Sequence, residues 1–272
     1  MPCPYLSNLQ FAIIRSDKIL ARGLMAKFLF VTDLDNTLVG NDNALVELNQ
    51  KLSQHRQAYG TKIVYATGRS PILYKELLTE KQLLVPDALI AAVGTEIYYQ
   101  GEENPDPNWS EKLAVGWNRE VVESIGANFA DLIPQPNSEQ RPFKVSYFLT
   151  ETAAEEVILR LESLLQESGI NAQLIYSGSK DLDILPRVSN KGLAVHFLRK
   201  HWEFEDTQTV VCGDSGNDIA LFSVGKPRGI IVGNAQPELR KWLEHHPSDY
   251  RYLAQADCAG GILEGLKHFG LL

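Results

Sequence analysis

Cysteine is scarce, with Cys3, Cys212 and Cys258 the only three in 272 residues. So few thiols, so widely spaced, exclude a disulfide framework and a thiolate zinc site, and they fit a reducing cytoplasm. Long apolar runs are also missing. The strand-like runs are short and end in Gly or Asp, so none reaches the length of a membrane span. The first 24 residues hold only the brief run Phe11 to Ile14, broken by Arg15, which argues against a secretory signal. Residues 1–24 are expected to be a mobile extension ahead of Met25. Basic residues are in deficit as well: 26 Lys and Arg stand against 34 Asp and Glu, a net charge of −8. Nucleic acid is thereby excluded as a partner, because its phosphates demand a basic surface.

What the chain does have is a hydrophobic content of 44% and a rhythm of short apolar strands alternating with amphipathic helices. That rhythm predicts an α/β protein with a Rossmann-like parallel sheet. Strands are expected at Phe28 to Thr32, Lys62 to Ala66 and Ala88 to Val93, with helices at Ala44 to Tyr59 and Pro71 to Lys81. From Gly101 to Asn108, two prolines among acids read as a linker. Beyond it a self-sufficient run is expected: helix Asn118 to Asp131, strand Lys144 to Leu149, helix Ala153 to Ser168, and strands Gln173 to Ser177 and Leu182 to Leu185. The core rhythm then resumes with helix Lys191 to His201, strand Thr209 to Gly213, helix Asn217 to Val224 and strand Gly229 to Val232. The expected division is a core of residues 25–104 and 187–272 with an inserted α/β domain of residues 105–186.

In open α/β sheets, ligands bind beyond the carboxyl ends of the strands, and there the polar residues gather. Asp33-Leu34-Asp35-Asn36-Thr37 follows the first strand, and two carboxylates two residues apart in extended chain project to one side. Taken alone, this is also an ordinary turn. Thr67-Gly68-Arg69 follows the second strand and offers a hydroxyl, a flexible amide and a cation. Lys191 opens a helix, where backbone amides favour an anion. Gly213-Asp214-Ser215-Gly216-Asn217-Asp218 places two acids four residues apart between glycines. Asp33, Asp35, Asp214 and Asp218 together carry −4 if ionised, against +2 from Lys191 and Arg69. At an effective dielectric of ~20, two like charges ~4 Å apart cost roughly 4 kcal/mol, so a phosphate monoester needs a divalent cation to approach. Hard carboxylate oxygens suit Mg²⁺.

These four stretches, in this order and each at a strand end, resemble the four motifs of the haloacid dehalogenase superfamily, and the insert between the second and third resembles its large α/β cap. Val93 to Tyr98, Lys144 to Tyr147, Lys180 to Pro186 and Asn234 to Leu239 are similar to the plant and cyanobacterial sucrose-phosphatase family, over residues 25–272. The resemblance implies hydrolysis of sucrose 6-phosphate through an aspartyl-phosphate. In that scheme Asp33 is the nucleophile and Asp35 the acid and base. Thr67, the Gly68 amide and Lys191 hold the phosphoryl oxygens. Mg²⁺ is held by Asp33, the Asp35 carbonyl and Asp214 with Asp218 beside it, and Asn217 orients the cluster or the phosphate. It also implies a possible association with a sucrose-phosphate synthase. Alternatives within the same chemistry are another sugar phosphate, such as mannosyl-3-phosphoglycerate, and a phosphomutase; a non-catalytic sugar-phosphate-binding partner is a third.

Sugar choice falls to the cap, because the core motifs contact only phosphate. Lys144, Lys180 and Asp183 alternate donors and acceptors as a polyhydroxyl ligand requires, and Glu96 is expected to help from the core side. The cap is expected to act as a lid hinged near residues 101–108 and 186–189. His245 and His246 read as surface residues, Cys212 as inert core, and Trp109, Trp117, Trp202 and Trp242 as packing residues.

Overall fold

The computed structural model of the chain describes residues 27–272, so the expected N-terminal extension lies outside the described residues. Strand β1 (Leu29–Thr32) is wholly buried and lies at the centre of a seven-stranded sheet. After it come helix α1 (Asp42–Tyr59), β2 (Lys62–Ala66), α2 (Pro71–Lys81), β3 (Ala88–Ala91) and β4 (Glu96–Tyr99). Local chemistry sets these boundaries. The Asn41 side chain accepts from the Ala44 amide at 3.1 Å, and Ser70 with Pro71 opens α2, which is how helices satisfy their first free amides. Along α1, Leu45, Leu48 and Leu52 share one face and are buried, as their spacing predicts.

The chain then forms α3 (Pro107–Ala114), α4 (Arg119–Gly126), β5 (Ile133–Pro134), β6 (Val145–Phe148), α5 (Glu151–Glu167), β7 (Ala172–Ser177) and β8 (Asp181–Pro186). Back on the large sheet it forms α6 (Lys191–His201), β9 (Thr209–Gly213), α7 (Ile219–Ser223), β10 (Arg228–Ile231), α8 (Pro237–His245), β11 (Arg251–Leu253) and α9 (Cys258–His268). The strand order is β11-β10-β9-β1-β2-β3-β4. All neighbours are parallel except β3 and β4. From β1 the sheet grows one way through β2 and the other way from β9, so the loops leaving β1 and β9 part and open a crevice. Helices α1, α2 and α9 cover one face, and α3, α6, α7 and α8 cover the other.

The second sheet is antiparallel, in the order β5-β6-β8-β7. Alternation divides its faces. Val145 and Tyr147 of β6, with Leu182 and Ile184 of β8, pack under α4 and α5, whereas Asp181 and Asp183 face a cavity on the other side. Among the described residues no helix is long and apolar enough to cross a membrane.

Several elements differ from the sequence expectation. The linker expected at 101–108 ends in α3, which packs on the large sheet, so the expected insert boundary at 105 falls ahead of a helix belonging with the core. Trp109 is fully buried there, among Leu29, Val31 and Ile97, and its Nε1 donates to the Gly94 carbonyl at 3.0 Å. Asp106 and Pro107, read as part of the linker, are the cap and first residue of that helix. Helix α4 is shorter than Asn118 to Asp131. Its Gly126 fits tightly, since a Cβ there would lie 2.3 Å from the Tyr147 hydroxyl oxygen. The helix expected at Asn217 to Val224 begins as a 3₁₀ turn, Gly216–Asp218, before α7. Strands β5 and β11, of two and three residues, are too short to show a period of two.

Because Trp109 fastens α3 to the core sheet, Trp109→Ala is expected to cost about 3–5 kcal/mol of stability, measured by urea unfolding. A loss below about 1 kcal/mol would mean that α3 is not anchored in the core.

Candidate active site

The loop leaving β1 is held to β9 by the Asp33 amide, which donates to the Cys212 carbonyl at 3.0 Å. This keeps Asp33 at the sheet's carboxyl edge, where it is 5% exposed. Its Oδ1 accepts from Lys191 Nζ at 2.7 Å, and the same ammonium donates to Asp218 Oδ1 at 2.7 Å. Lys191, in the first turn of α6, has no solvent exposure at all. A helix-start lysine is ordinarily solvated; here burial acts to lower its pKa, and Asp218 and Asp33 override that and raise it.

Asp218 has a full set of partners. Beyond Lys191, its Oδ2 accepts from the amides of Asp214 at 3.0 Å and Ser215 at 3.1 Å. It therefore fixes the turn that presents Asp214 as well as the lysine. Asp214 in turn accepts from Thr37 Oγ1 at 2.9 Å, which ties the β9 loop back to the β1 loop. Asp33, Asp214 and Asp218 each offer a carboxylate oxygen within 4.8 Å of the others. Burial, with repulsion from Asp218 and Asp35, lifts Asp33 to about 7 against the pull of Lys191. Burial, with Asp218 and Asp33, lifts Asp214 to about 8.

The cavity above these residues has a volume of about 620 Å³. Asp33, Asp35, Gly68, Arg69, Asp214 and Asn217 form its core wall, and Gln135, Glu139, Lys144, Lys180, Asp181 and Asp183 the facing one. Asp35 is half-exposed and carries a two-pronged pair with Arg69, Nε to Oδ2 and Nη2 to Oδ1, both at 2.7 Å. The guanidinium expected to meet phosphate is thus engaged with a carboxylate, since its fork matches one better than a lone oxygen. Thr67 is buried behind the wall and its Oγ1 accepts from the Arg69 amide at 3.1 Å. Asn217 reaches the wall with a buried Oδ1 that has no hydrogen-bond partner, an arrangement that costs free energy unless a ligand or water completes it.

On the facing wall, Lys144 is 2% exposed and its Nζ donates to Ser146 Oγ at 2.7 Å and Asp183 Oδ1 at 3.1 Å. Ser146 Oγ donates to the same Asp183 oxygen at 2.6 Å. Lys180 stands largely exposed at the β7–β8 turn. Glu96 is not part of this cavity. On antiparallel β4 it turns to Arg141, whose Nε and Nη2 donate at 2.8 and 3.2 Å, and it accepts from the Tyr98 hydroxyl at 2.9 Å.

Sequence reasoning missed Gln135, Glu139 and Asp181. Gln135 Nε2 donates to Asp181 Oδ1 at 3.0 Å across 46 residues, a proximity created by sheet pairing and invisible to local spacing. It also left Asn234 without a role. That side chain donates to the Asn36 carbonyl at 2.7 Å and accepts from the Cys258 amide at 2.9 Å, buckling two left-handed residues, Asn36 and Cys258, beside the Asp35 turn. His245 and His246 are exposed, each Nδ1 near its own helix's carbonyls. Cys212 is buried, its thiol pushed well up by burial.

Comparison with known proteins gives the family. The profile of the sucrose-6F-phosphate phosphohydrolase family matches residues 26–270. A probable sucrose-phosphatase 2 of Arabidopsis thaliana is 41% identical over 254 residues, covering 90% of this chain and 60% of that protein; the chain thus spans about 60% of the length of the plant relatives it matches. A mannosylfructose-phosphate phosphatase of Agrobacterium fabrum is 32% identical, covering 89% of this chain and 97% of that one. The sucrose-phosphatase of Synechocystis sp. PCC6803, solved with sucrose and phosphate, superposes with a TM-score of 0.84 at 44% identity, covering 90% of this chain and 98% of that one. With the family profile matching nearly the whole described chain, the protein belongs to the sucrose-6F-phosphate phosphohydrolase family.

Proposed function

We propose that the chain hydrolyses sucrose 6-phosphate to sucrose and inorganic phosphate through an aspartyl-phosphate at Asp33. The observation that carries this reading is the Lys191 bridge. It holds one Asp33 oxygen from behind and leaves the other facing a polar cavity of about 620 Å³, a size suited to a disaccharide. The sucrose and phosphate bound to the Synechocystis relative support the same substrate. Association with the synthase that would supply it, in the cytoplasm, belongs to the same reading.

In the first step the free Asp33 oxygen attacks phosphorus. The bond from phosphorus to the sugar oxygen breaks, and Asp35 gives that oxygen a proton. In the second, Asp35 takes a proton from water as its oxygen bonds to phosphorus and Asp33 leaves. A carboxylate nucleophile thus divides one hard displacement into two easier ones. The Gly68 amide and Asn217 face the phosphoryl oxygens, and Thr67 steadies the loop behind them by accepting from the Arg69 amide. Lys191 disperses charge at Asp33 as it loses and regains its electron pair. The pair with Arg69 is made by the ionised Asp35 carboxylate, so before the first transfer Asp35 must leave Arg69 and take up a proton from solvent; the proton taken from water in the second step then readies it for the next turnover.

The donor set fits Mg²⁺. Three carboxylates, Asp33, Asp214 and Asp218, offer oxygens within 4.8 Å of one another with only the Lys191 ammonium paired among them, and hard oxygen ligands are what this ion takes. Asp33, the Asp35 carbonyl and Asp214 would hold it. Asp218, whose two oxygens are occupied by Lys191 and two amides, supports them from behind. Bound there, the ion would neutralise charge on the nucleophile and the phosphoryl group.

A second reading is hydrolysis of another disaccharide phosphate, favoured by the likeness to mannosylfructose-phosphate phosphatase over nearly that protein's full length. Phosphate release across a panel of sugar phosphates separates the two, and sucrose 6-phosphate is expected to give the highest kcat/KM. A phosphomutase would release no phosphate.

Asp33→Asn is expected to abolish turnover in a folded protein, since an amide keeps the shape but cannot attack. Asp35→Ala is expected to slow sucrose 6-phosphate hydrolysis by about 10²–10⁴-fold and to affect an aryl phosphate, whose leaving group needs no proton, far less. Equal losses on both substrates would contradict the acid role.

The raised carboxylates also predict a pH dependence. Asp33 and Asp214 ordinarily titrate near 3.8 and here near 7 and 8, so the metal-free fold binds the more protons. Their contribution to stability is complete below about pH 4 and lost as pH rises through those values. Mg²⁺ competes with these protons, so the rise in Tm on adding it is expected to be larger at pH 8 than at pH 5.5. An equal rise at both would place the ion elsewhere.

A further inference from the structure

The β7–β8 turn of the cap lies on the loop that leaves β9, and one core side chain joins them. Glu238, in the first turn of α8, accepts with the same Oε1 from the Gly178 amide at 3.2 Å and the Gly216 amide at 3.3 Å. Gly178 belongs to the cap turn, and Gly216 lies between Asp214 and Asn217. The contact is close on the backbone level. A Cβ at residue 216 would lie 2.9 Å from the Tyr176 carbonyl oxygen and 3.1 Å from Glu238 Cγ, so the turn seats only against a glycine. Glu238 is itself fixed to the site, because the Gln236 amide donates to the Asp214 carbonyl at 2.7 Å. On the cap side, Lys180 and Asp181 follow Gly178 closely and line the cavity. A carboxylate shared by two amides is charge-assisted, and here one amide moves with the cap and the other with the core.

We propose that Glu238 is a positioning residue that latches the cap turn onto the Asp214–Asp218 loop, holding the sugar-facing wall in register with the phosphate-facing one. The proposal rests on the sugar-phosphatase reading with a mobile cap. Lids of this kind complete a site and exclude water. A substrate that fills both walls depends on the latch, and one that touches only the core does not. Glu238 does not line the cavity, so its effect on the chemistry is indirect, through the cap turn it holds.

The test combines hydrogen exchange with two substrates on full-length protein. In Glu238→Ala, exchange of the amides of residues 176–180 is expected to quicken by about tenfold, while exchange in β1 and β9 stays unchanged. kcat/KM for sucrose 6-phosphate is expected to fall by about tenfold, with p-nitrophenyl phosphate hydrolysis within about twofold of wild type. Glu238→Gln keeps an acceptor oxygen and is expected to recover most of both properties. Unchanged exchange in Glu238→Ala would overturn the latch. So would equal losses on both substrates with quickened exchange throughout the core, which would make Glu238 a residue of general stability. Hydrogen exchange needs no turnover, so it decides the latch even if another sugar phosphate proves the preferred substrate.

Discussion

A fully buried ammonium shared by two carboxylates, Lys191 between Asp33 and Asp218, is the constraint on which the site depends. An unpaired charge so deep would be strongly destabilising, and both carboxylates hold Lys191 against that. Three elements must therefore converge: the end of β1, the start of α6 and the turn after β9. The parallel pairing of β1 with β9 brings two of them together, and α6, packed on the sheet through Ala194 and Leu198, brings the third. Asp218 then spends its remaining oxygen on the amides that aim Asp214. The excess negative charge that results is not a defect of packing. It is what makes the cluster receptive to a divalent cation, and, on the proposed function, to phosphate only in that cation's company.

The facing wall of the cavity, which the proposed function gives to the sugar, is built by contrast on a sheet that contributes nothing to the carboxylate cluster. Alternation along β6 and β8 sends Val145, Tyr147, Leu182 and Ile184 inward and leaves Ser146 and Asp183 with Lys144 on the other face. Because Lys144, Ser146 and Asp183 already satisfy one another, this wall is preorganised. A polyhydroxyl ligand would exchange water on it for equivalent partners, which favours orientation over raw affinity.

The sequence reveals the core more fully than the cap for a physical reason. Asp33, Thr67 and Asp214 directly follow apolar strands and Lys191 opens an amphipathic helix, so all four could be placed from their neighbours alone. Lys191's burial could not, because it depends on two carboxylates 158 and 27 residues away. Arg69 and Glu96 were assigned by charge, and both found closer carboxylate or guanidinium partners in space. In the cap, Lys144, Lys180 and Asp183 reach the cavity as their strand positions suggest. Gln135 and Glu139 lie in short irregular chain where no period exists. The α3 boundary shows the same limit, since Asp-Pro reads equally as a turn and as a helix start until Trp109 finds its pocket.

The central claim, that Asp33 carries the phosphoryl group between sugar and water, is tested most directly by acid-quenching the enzyme in steady state with sucrose 6-phosphate. Borohydride reduction and peptide mapping then locate any acyl phosphate. The account predicts a Mg²⁺-dependent reduction product, homoserine, at position 33 and at no other carboxylate. Rapid turnover with no modified peptide, or modification at Asp35 or Asp214 instead, would contradict it.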